Sequence, residues 1–158
     1  MGDLRELLEG HGYADVRTHL QSGNVLLSSP LPPRKLEAKL EQQLAAGLGI
    51  DVQVLVRTRA ELAKVVRRDP LGAVATNGSR YLVSFLSKRL SAKVARELEG
   101  AEIAPAQLAI DGRELFAWYP DGVQRASLAK LLDDKRLGVV SPARNGNTFT
   151  KLLQLLDD

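Results

Sequence analysis

The sequence predicts an α+β protein made of two units with related element order. Three observations carry that prediction. Apolar residues at helical spacing alternate along the chain with short runs of period two. A strand, helix, hairpin, helix, strand order fills the second half, and the first half repeats it without an opening strand. At 158 residues, 44% hydrophobic and 26% charged, the chain suits one ordinary domain or two small packed units rather than a disordered or fibrous protein.

The first half opens with Leu4, Leu7 and Leu8 at helical spacing and stops at Gly10 and Gly12, which reads as a short amphipathic helix with a glycine exit. The period then changes to two in Val16-Arg17-Thr18-His19-Leu20. After Gln21-Ser22-Gly23-Asn24, Val25-Leu26-Leu27 completes a β-hairpin whose turn has residues suited to positive φ. Pro30, Pro32 and Pro33 lead into a stripe of Leu36, Leu40, Leu44 and Leu48, a second helix. Residues 51–56 alternate and then become continuously apolar, as a buried strand does. Leu62, Val65 and Val66 mark a third helix, which Asp69-Pro70 ends by restricting the residue before proline.

Residues 75–80, containing Asn77-Gly78, read as a linker. The second half starts with a strand at 81–86, followed by a helix carrying Val94, Ala95 and Leu98 with Ser91 placed to cap it. Two strands, 108–110 and 115–119, flank the turn signal Asp111-Gly112. Leu128, Leu131 and Leu132 mark a helix, Val139-Val140 a short strand, and Phe149, Leu152, Leu153 and Leu156 a closing helix. The predicted organisation is therefore an N-terminal ferredoxin-like unit over 1–74 lacking its opening strand, a linker over 75–80, and a C-terminal ferredoxin-like unit with a closing helix over 81–158.

Composition narrows the chemistry. Cysteine is absent, so there is no disulfide framework, thiolate metal site or cysteine nucleophile, and with only His11 and His19 no metal site is expected. No apolar run approaches the ~20 residues that span a bilayer and no signal segment is visible, so a membrane partner is not expected and the expected compartment is cytoplasmic. The net charge of +3 permits nucleic-acid binding but indicates it weakly, because 4% aromatic residues supply few stacking surfaces. No phosphate loop, dinucleotide fingerprint, nucleophile elbow or H-E-x-x-H motif occurs, and no cofactor is named by the residues.

Several short motifs share their order with a known family. Leu4-Arg5-Glu6-Leu7-Leu8-Glu9, Val16-Arg17-Thr18 and Gln21-Ser22-Gly23-Asn24-Val25 resemble the bacterial domain-of-unknown-function family 1697. Val56-Arg57-Thr58, Tyr119-Pro120-Asp121-Gly122-Val123, and Arg144-Asn145 shortly before Thr148-Phe149-Thr150-Lys151-Leu152 are similar to its C-terminal half. The resemblance covers nearly the whole chain and implies two ferredoxin-like units, with no particular activity attached. It also implies an opening strand, an Arg-Gly-Ile-Asn-Val-Gly-Gly loop and a Val-Pro-Met entry to the first helix. Met1 stands where that internal methionine would fall, so the sequence reads as a truncated form of a longer product. Gly146 and His19 replace the tryptophan and tyrosine usual in the family at those positions.

Two candidate ligand sites follow. Gln21, Ser22 and Asn24 offer an amide, a hydroxyl and turn backbone donors, which equip the hairpin to hold a phosphate or serve simply as turn geometry. Arg144, Asn145, Asn147, Thr148 and Lys151 surround the start of the closing helix, with Asn147 or Thr148 expected as its cap and Lys151 in its first turn. Helix starts attract anions and the two cations match them, against the alternative of an ordinary cap with a solvated lysine. The basic stretch Arg57, Arg59, Lys64, Arg67 and Arg68 reads as a nucleic-acid contact or a solvated helix face. Asp133 and Asp134 read as a solvated face. The leading functional expectation is a non-catalytic binder of an anionic or phosphorylated ligand. The alternatives are a small-molecule enzyme with its site between the two units, and an assembly module that forms homo-oligomers through an exposed sheet edge.

Overall fold

The computed structural model describes residues 2–19, 23–123 and 126–157. Among them it is a mixed α+β protein with two antiparallel sheets and seven α-helices. The chain groups into two compact units, one holding residues up to Glu61 together with those from Leu152 onward, the other holding Leu62–Lys151. Residues 75–80, read above as a linker, lie within the second unit and include the 3-10 turn Gly78–Arg80.

The first unit begins with α1 (Gly2–Gly10), followed by the antiparallel hairpin β1 (Ala14–His19) and β2 (Asn24–Ser28). Arg17 faces Leu26 and His19 faces Asn24 across it, with an irregularity between Ala14 and Arg17 where Asp15 takes φ 53°. Helix α2 (Pro33–Leu48) starts on Pro33, whose missing N–H and fixed φ suit a first helical position, and ends where the Gly49 N–H reaches Ala45 O at 3.1 Å. Leu8, Val16, Leu36 and Leu40 form the buried core of this unit, with Val25, Leu27, Val54 and Val56 packed against it. The core thus uses Leu36 and Leu40 from the leucine stripe of α2 and one alternating face of the hairpin.

Residues 51–56 depart from expectation: they carry the strand pattern but join no ladder among the described residues. Their backbone finds other partners. The Val54 N–H donates to Glu41 Oε1 at 2.9 Å and the Val56 N–H to Glu37 Oε2 at 2.8 Å. Two residues of extended chain advance about 6.6 Å and four residues of helix about 6 Å, so alternate amides on this segment match carboxylates one helical turn apart on α2. After it comes a reciprocal capping box. The Thr58 N–H donates to Glu61 Oε1 at 3.0 Å and the Glu61 N–H to Thr58 Oγ1 at 3.1 Å, which starts α3 (Arg59–Arg68).

In the second unit, β3 (Tyr81–Phe85), β4 (Gln107–Asp111), β5 (Glu114–Trp118) and β6 (Ala143–Asn145) form an antiparallel sheet in the order β4-β5-β3-β6. Helix α4 (Ala92–Glu99) lies between β3 and β4 in sequence, and α5 (Ser127–Leu131) and α6 (Asp134–Leu137) lie between β5 and β6. Ser91 caps α4 as expected, its hydroxyl accepting from the Val94 N–H at 3.2 Å. Alternation along the strands divides the sheet residues between two faces. Leu86, Leu115, Ala117 and Tyr119 pack with Leu98, Leu128 and Leu137 of the helices in one core cluster. Tyr81, Val83, Phe116 and Trp118 are buried on the opposite face.

Three expectations for this unit need correction. The strand expected at Val139-Val140 lies instead at Ala143–Asn145, pairing Leu82 with Asn145 and Val83 with Arg144. The single helix expected around Leu128–Leu132 is two short helices. Asp133 and Asp134 are the reason: the Asp133 carboxylate accepts from the Arg136 N–H at 2.7 Å and caps α6, and Asp134 Oδ1 accepts from the Ser141 N–H at 3.1 Å and Oγ at 2.6 Å. They anchor a turn rather than merely facing solvent.

Candidate functional site

β6 runs directly into α7 (Gly146–Asp157), because Asn145 is both the last strand residue and the cap of the helix. Its Oδ1 accepts from the Thr148 N–H at 2.9 Å. The cap is therefore Asn145, not Asn147 or Thr148, and Lys151 lies beyond the first turn as an exposed residue. The signal was present in the sequence, since an asparagine three residues before the amide it caps is the usual spacing. The three-residue strand that fixes the helix start was too short to show periodicity.

The helix starts against another backbone. A Cβ on Gly146 would lie 3.2 Å from Gly78 O and 3.3 Å from Gly78 Cα, and a Cβ on Gly78 would lie 2.3 Å from Asn147 Oδ1. The absence of a side chain at both positions lets the 3-10 turn and the first turn of α7 come this close; a Cβ at Gly146 would press on backbone, and one at Gly78 would displace the Asn147 side chain. Beside the contact opens a cleft of about 200 Å³ within the second unit, walled by Tyr81, Phe116 and Phe149 and offering Asp69, Asn147 and Thr150 as polar groups. Asp69 follows α3 with φ 37°, a conformation that costs a non-glycine residue energy and concentrates at functional sites and tight turns. Tyr81 OH accepts from the Leu71 N–H at 3.2 Å. Burial raises the Tyr81 hydroxyl pKa well above its ordinary value; the Leu71 amide opposes the shift, and the neighbouring Asp69 carboxylate adds to it.

The expected residues are distributed as follows. Asn147 lines the cleft. Arg144 lies opposite Val83, itself opposite Phe116, and cross-strand partners share a sheet face, so Arg144 is on the side of the sheet that walls the cleft. It is half-buried, its guanidinium donates to Ala143 O at 2.9 Å, and desolvation lowers its pKa. Asn145 and Thr148 are bound to each other in the cap. Asn24 is buried and its amide donates to His19 O at 3.2 Å, closing the hairpin, while Gln21 and Ser22 lie outside the described residues. Of the basic stretch, Arg68 ion-pairs with Asp111 and Arg57 donates to Val56 O at 3.3 Å. Sequence reasoning missed Asp69, Tyr81, Phe116, Phe149 and Thr150, which come from distant segments and form no local motif.

The family described as a protein of unknown function, DUF1697, matches residues 1–116. The chain belongs to the DUF1697 family. Within that match lie the DUF1697 positions Asp69, Tyr81 and Phe116 of the cleft, whereas α7 follows it. The solved structure of a conserved bacterial protein from Streptococcus pneumoniae superposes with a TM-score of 0.77 at 21% identity, covering 100% of this chain and 89% of its own. It shares the fold. No curated protein matches the chain. Among the described residues no helix is long and apolar enough to cross a membrane, and no group of three or more His, Asp or Glu side chains is placed to hold a metal ion.

A second buried phenol allows a pH test of the fold. Tyr119 packs in the core on the other sheet face, and burial pushes its pKa up to about 12. A folded-state pKa above the unfolded value of about 10 leaves stability unaffected at lower pH and removes it as pH rises from about 10 through about 12. Thermal melts between those limits are expected to fall more steeply in the parent chain than in Tyr119→Phe; parallel curves would show that Tyr119 ionises freely.

Proposed function

We propose that this protein is a non-catalytic binding module for a small anionic ligand, held in the cleft at the start of α7. The observation that carries this reading is the opening of the first turn of a 12-residue helix into a cleft with aromatic walls and hydrogen-bonding side chains. A helix start favours negative charge, the Asn147 amide and Thr150 hydroxyl supply donors, and Arg144 and Lys151 add positive charge on the same strand and helix. Asp69 also lines the cleft, so the ligand's remaining part is expected to present a hydrogen-bond donor rather than a second anionic group.

We infer in addition that the chain is two ferredoxin-like units in tandem. What supports this is the β-α-β-β-α-β order of the second unit with its opening strand β3 inside the sheet, and the α-β-β-α-extended order of the first.

The test of function is calorimetric titration of the full chain with inorganic phosphate, phosphomonoesters carrying an amino group, and their neutral isosteres. Binding without turnover is expected, weakened about tenfold by Asn147→Ala, the loss of one hydrogen bond to a charged group, and also weakened by Lys151→Glu, which reverses a nearby charge. Equal affinity for neutral isosteres, or affinities unmoved by both substitutions, would remove the proposal. A steep loss of affinity with salt for oligonucleotides, absent for small ligands, would point to nucleic acid instead.

A further inference from the structure

The extended segment 51–57 has two backbone edges, and its hydrogen bonds reveal which one is taken. Alternate residues of an extended chain direct their N–H and C=O groups to opposite sides. Val54 and Val56 donate to Glu41 and Glu37 of α2, so the even-numbered residues face that helix. The odd-numbered residues direct their backbone the other way. Neither the Gln53 N–H nor the Leu55 N–H bonds to another described residue, and Gln53 is exposed. Nearby, Ile50 is 39% and Val52 47% exposed, large apolar side chains left at the surface. Such an edge is a template for another strand.

We propose that the occupant is the same segment of a second copy of this chain, paired antiparallel about a two-fold axis through Val54. The sequence Asp51-Val52-Gln53-Val54-Leu55-Val56-Arg57 is complementary to itself in that register. Residues whose numbers sum to 108 lie opposite each other, so Asp51 meets Arg57, Val52 meets Val56, and Gln53 meets Leu55. The opposite charges fall at both ends of the pairing and the valines at its middle, which is the arrangement that favours cross-strand pairs. The backbone agrees independently. In this register the hydrogen-bonded pairs are odd-numbered residues on both strands, the ones not already committed to α2. Gln53 and Leu55 of each copy exchange N–H···O=C bonds with Leu55 and Gln53 of the other. An isologous contact of this kind closes as a dimer and leaves no repeating edge for fibres. Exposed Val52 is covered by Val56 of the second copy.

Sedimentation velocity of the full chain from about 1 µM to about 1 mM is expected to show a reversible monomer–dimer equilibrium. Asp51→Arg or Arg57→Asp alone sets like charges opposite each other twice per dimer and is expected to weaken association at least tenfold, whereas the double exchange restores it. Gln53→Pro deletes an N–H that the monomer does not use and is expected to weaken the dimer at least a hundredfold with an unchanged circular dichroism spectrum. Should Gln53→Pro unfold, the charge exchange alone decides, because both singles alter exposed or half-exposed positions. A monomer throughout the concentration range overturns the proposal. So does a dimer that both singles and the double exchange leave equally strong.

Discussion

Phe116→Ala is expected to destabilise the protein by about 3–5 kcal/mol, the cost typical of truncating a fully buried aromatic ring. Phe116 is 1% exposed and sits in β5 opposite Val83, with its ring centroid 6.3 Å from that of Tyr81 at an interplanar angle of 40°. Three losses combine: the transfer free energy of the ring, the tilted contact with Tyr81, and a cavity that the paired backbones of β3 and β5 prevent from collapsing. Phe116 also walls the cleft, so ligand affinity should fall with stability. Urea denaturation measures the effect, with the exposed Lys88→Ala as a control expected to stay within about 0.5 kcal/mol. A loss under about 1 kcal/mol for Phe116→Ala would contradict the described packing.

The combined change Glu37→Ala with Glu41→Ala should cost the first unit about 3 kcal/mol. Each carboxylate accepts a backbone N–H from an extended segment that has no ladder to fall back on. Hydrogen bonds to charged groups contribute roughly 1.5–3 kcal/mol each, and the half-exposed setting of both glutamates places them at the lower end. The glutamine pair retains an acceptor oxygen at each position and should recover part of the loss. Amide hydrogen exchange at Val54 and Val56 reads the effect residue by residue, and exchange rates unchanged in the alanine pair would show that the amides do not depend on the carboxylates.

Where the sequence carried a local chemical signal, the structure follows it. The leucine stripe of α2, the proline at its start, the serine cap of α4 and the Asp111-Gly112 turn between β4 and β5 each have a short-range cause, and Gly112 takes the positive φ of 61° that such a turn needs. Where an outcome depended on partners, periodicity misled. Residues 51–56 have the pattern of a buried strand, but a ladder needs a second strand, and here glutamates of α2 take that role. The β6 strand was missed for the opposite reason: its three residues are too few for a period, and only pairing with β3 makes them a strand. The cleft was equally hidden. Asp69, Tyr81 and Phe149 are far apart in sequence, and each has an ordinary reading as a helix exit, a strand residue or a helix core residue. Of the residues expected around the start of the closing helix, Asn147 lines the cleft, whereas Asn145 is the cap.

The passage from β6 to α7 without an intervening loop sets a fixed phase between sheet and helix. An α-helix turns about 100° per residue. One residue inserted between Asn145 and Gly146 would therefore rotate the whole helix by that angle relative to the strand that launches it. Phe149 would swing out of the core, Asn147 and Thr150 would leave the cleft, and the Asn145 side chain would lose the amide it caps. The junction behaves as a gauge of constant length, so natural variation in chain length is expected to accumulate in segments such as 70–77 and to spare residues 143–150.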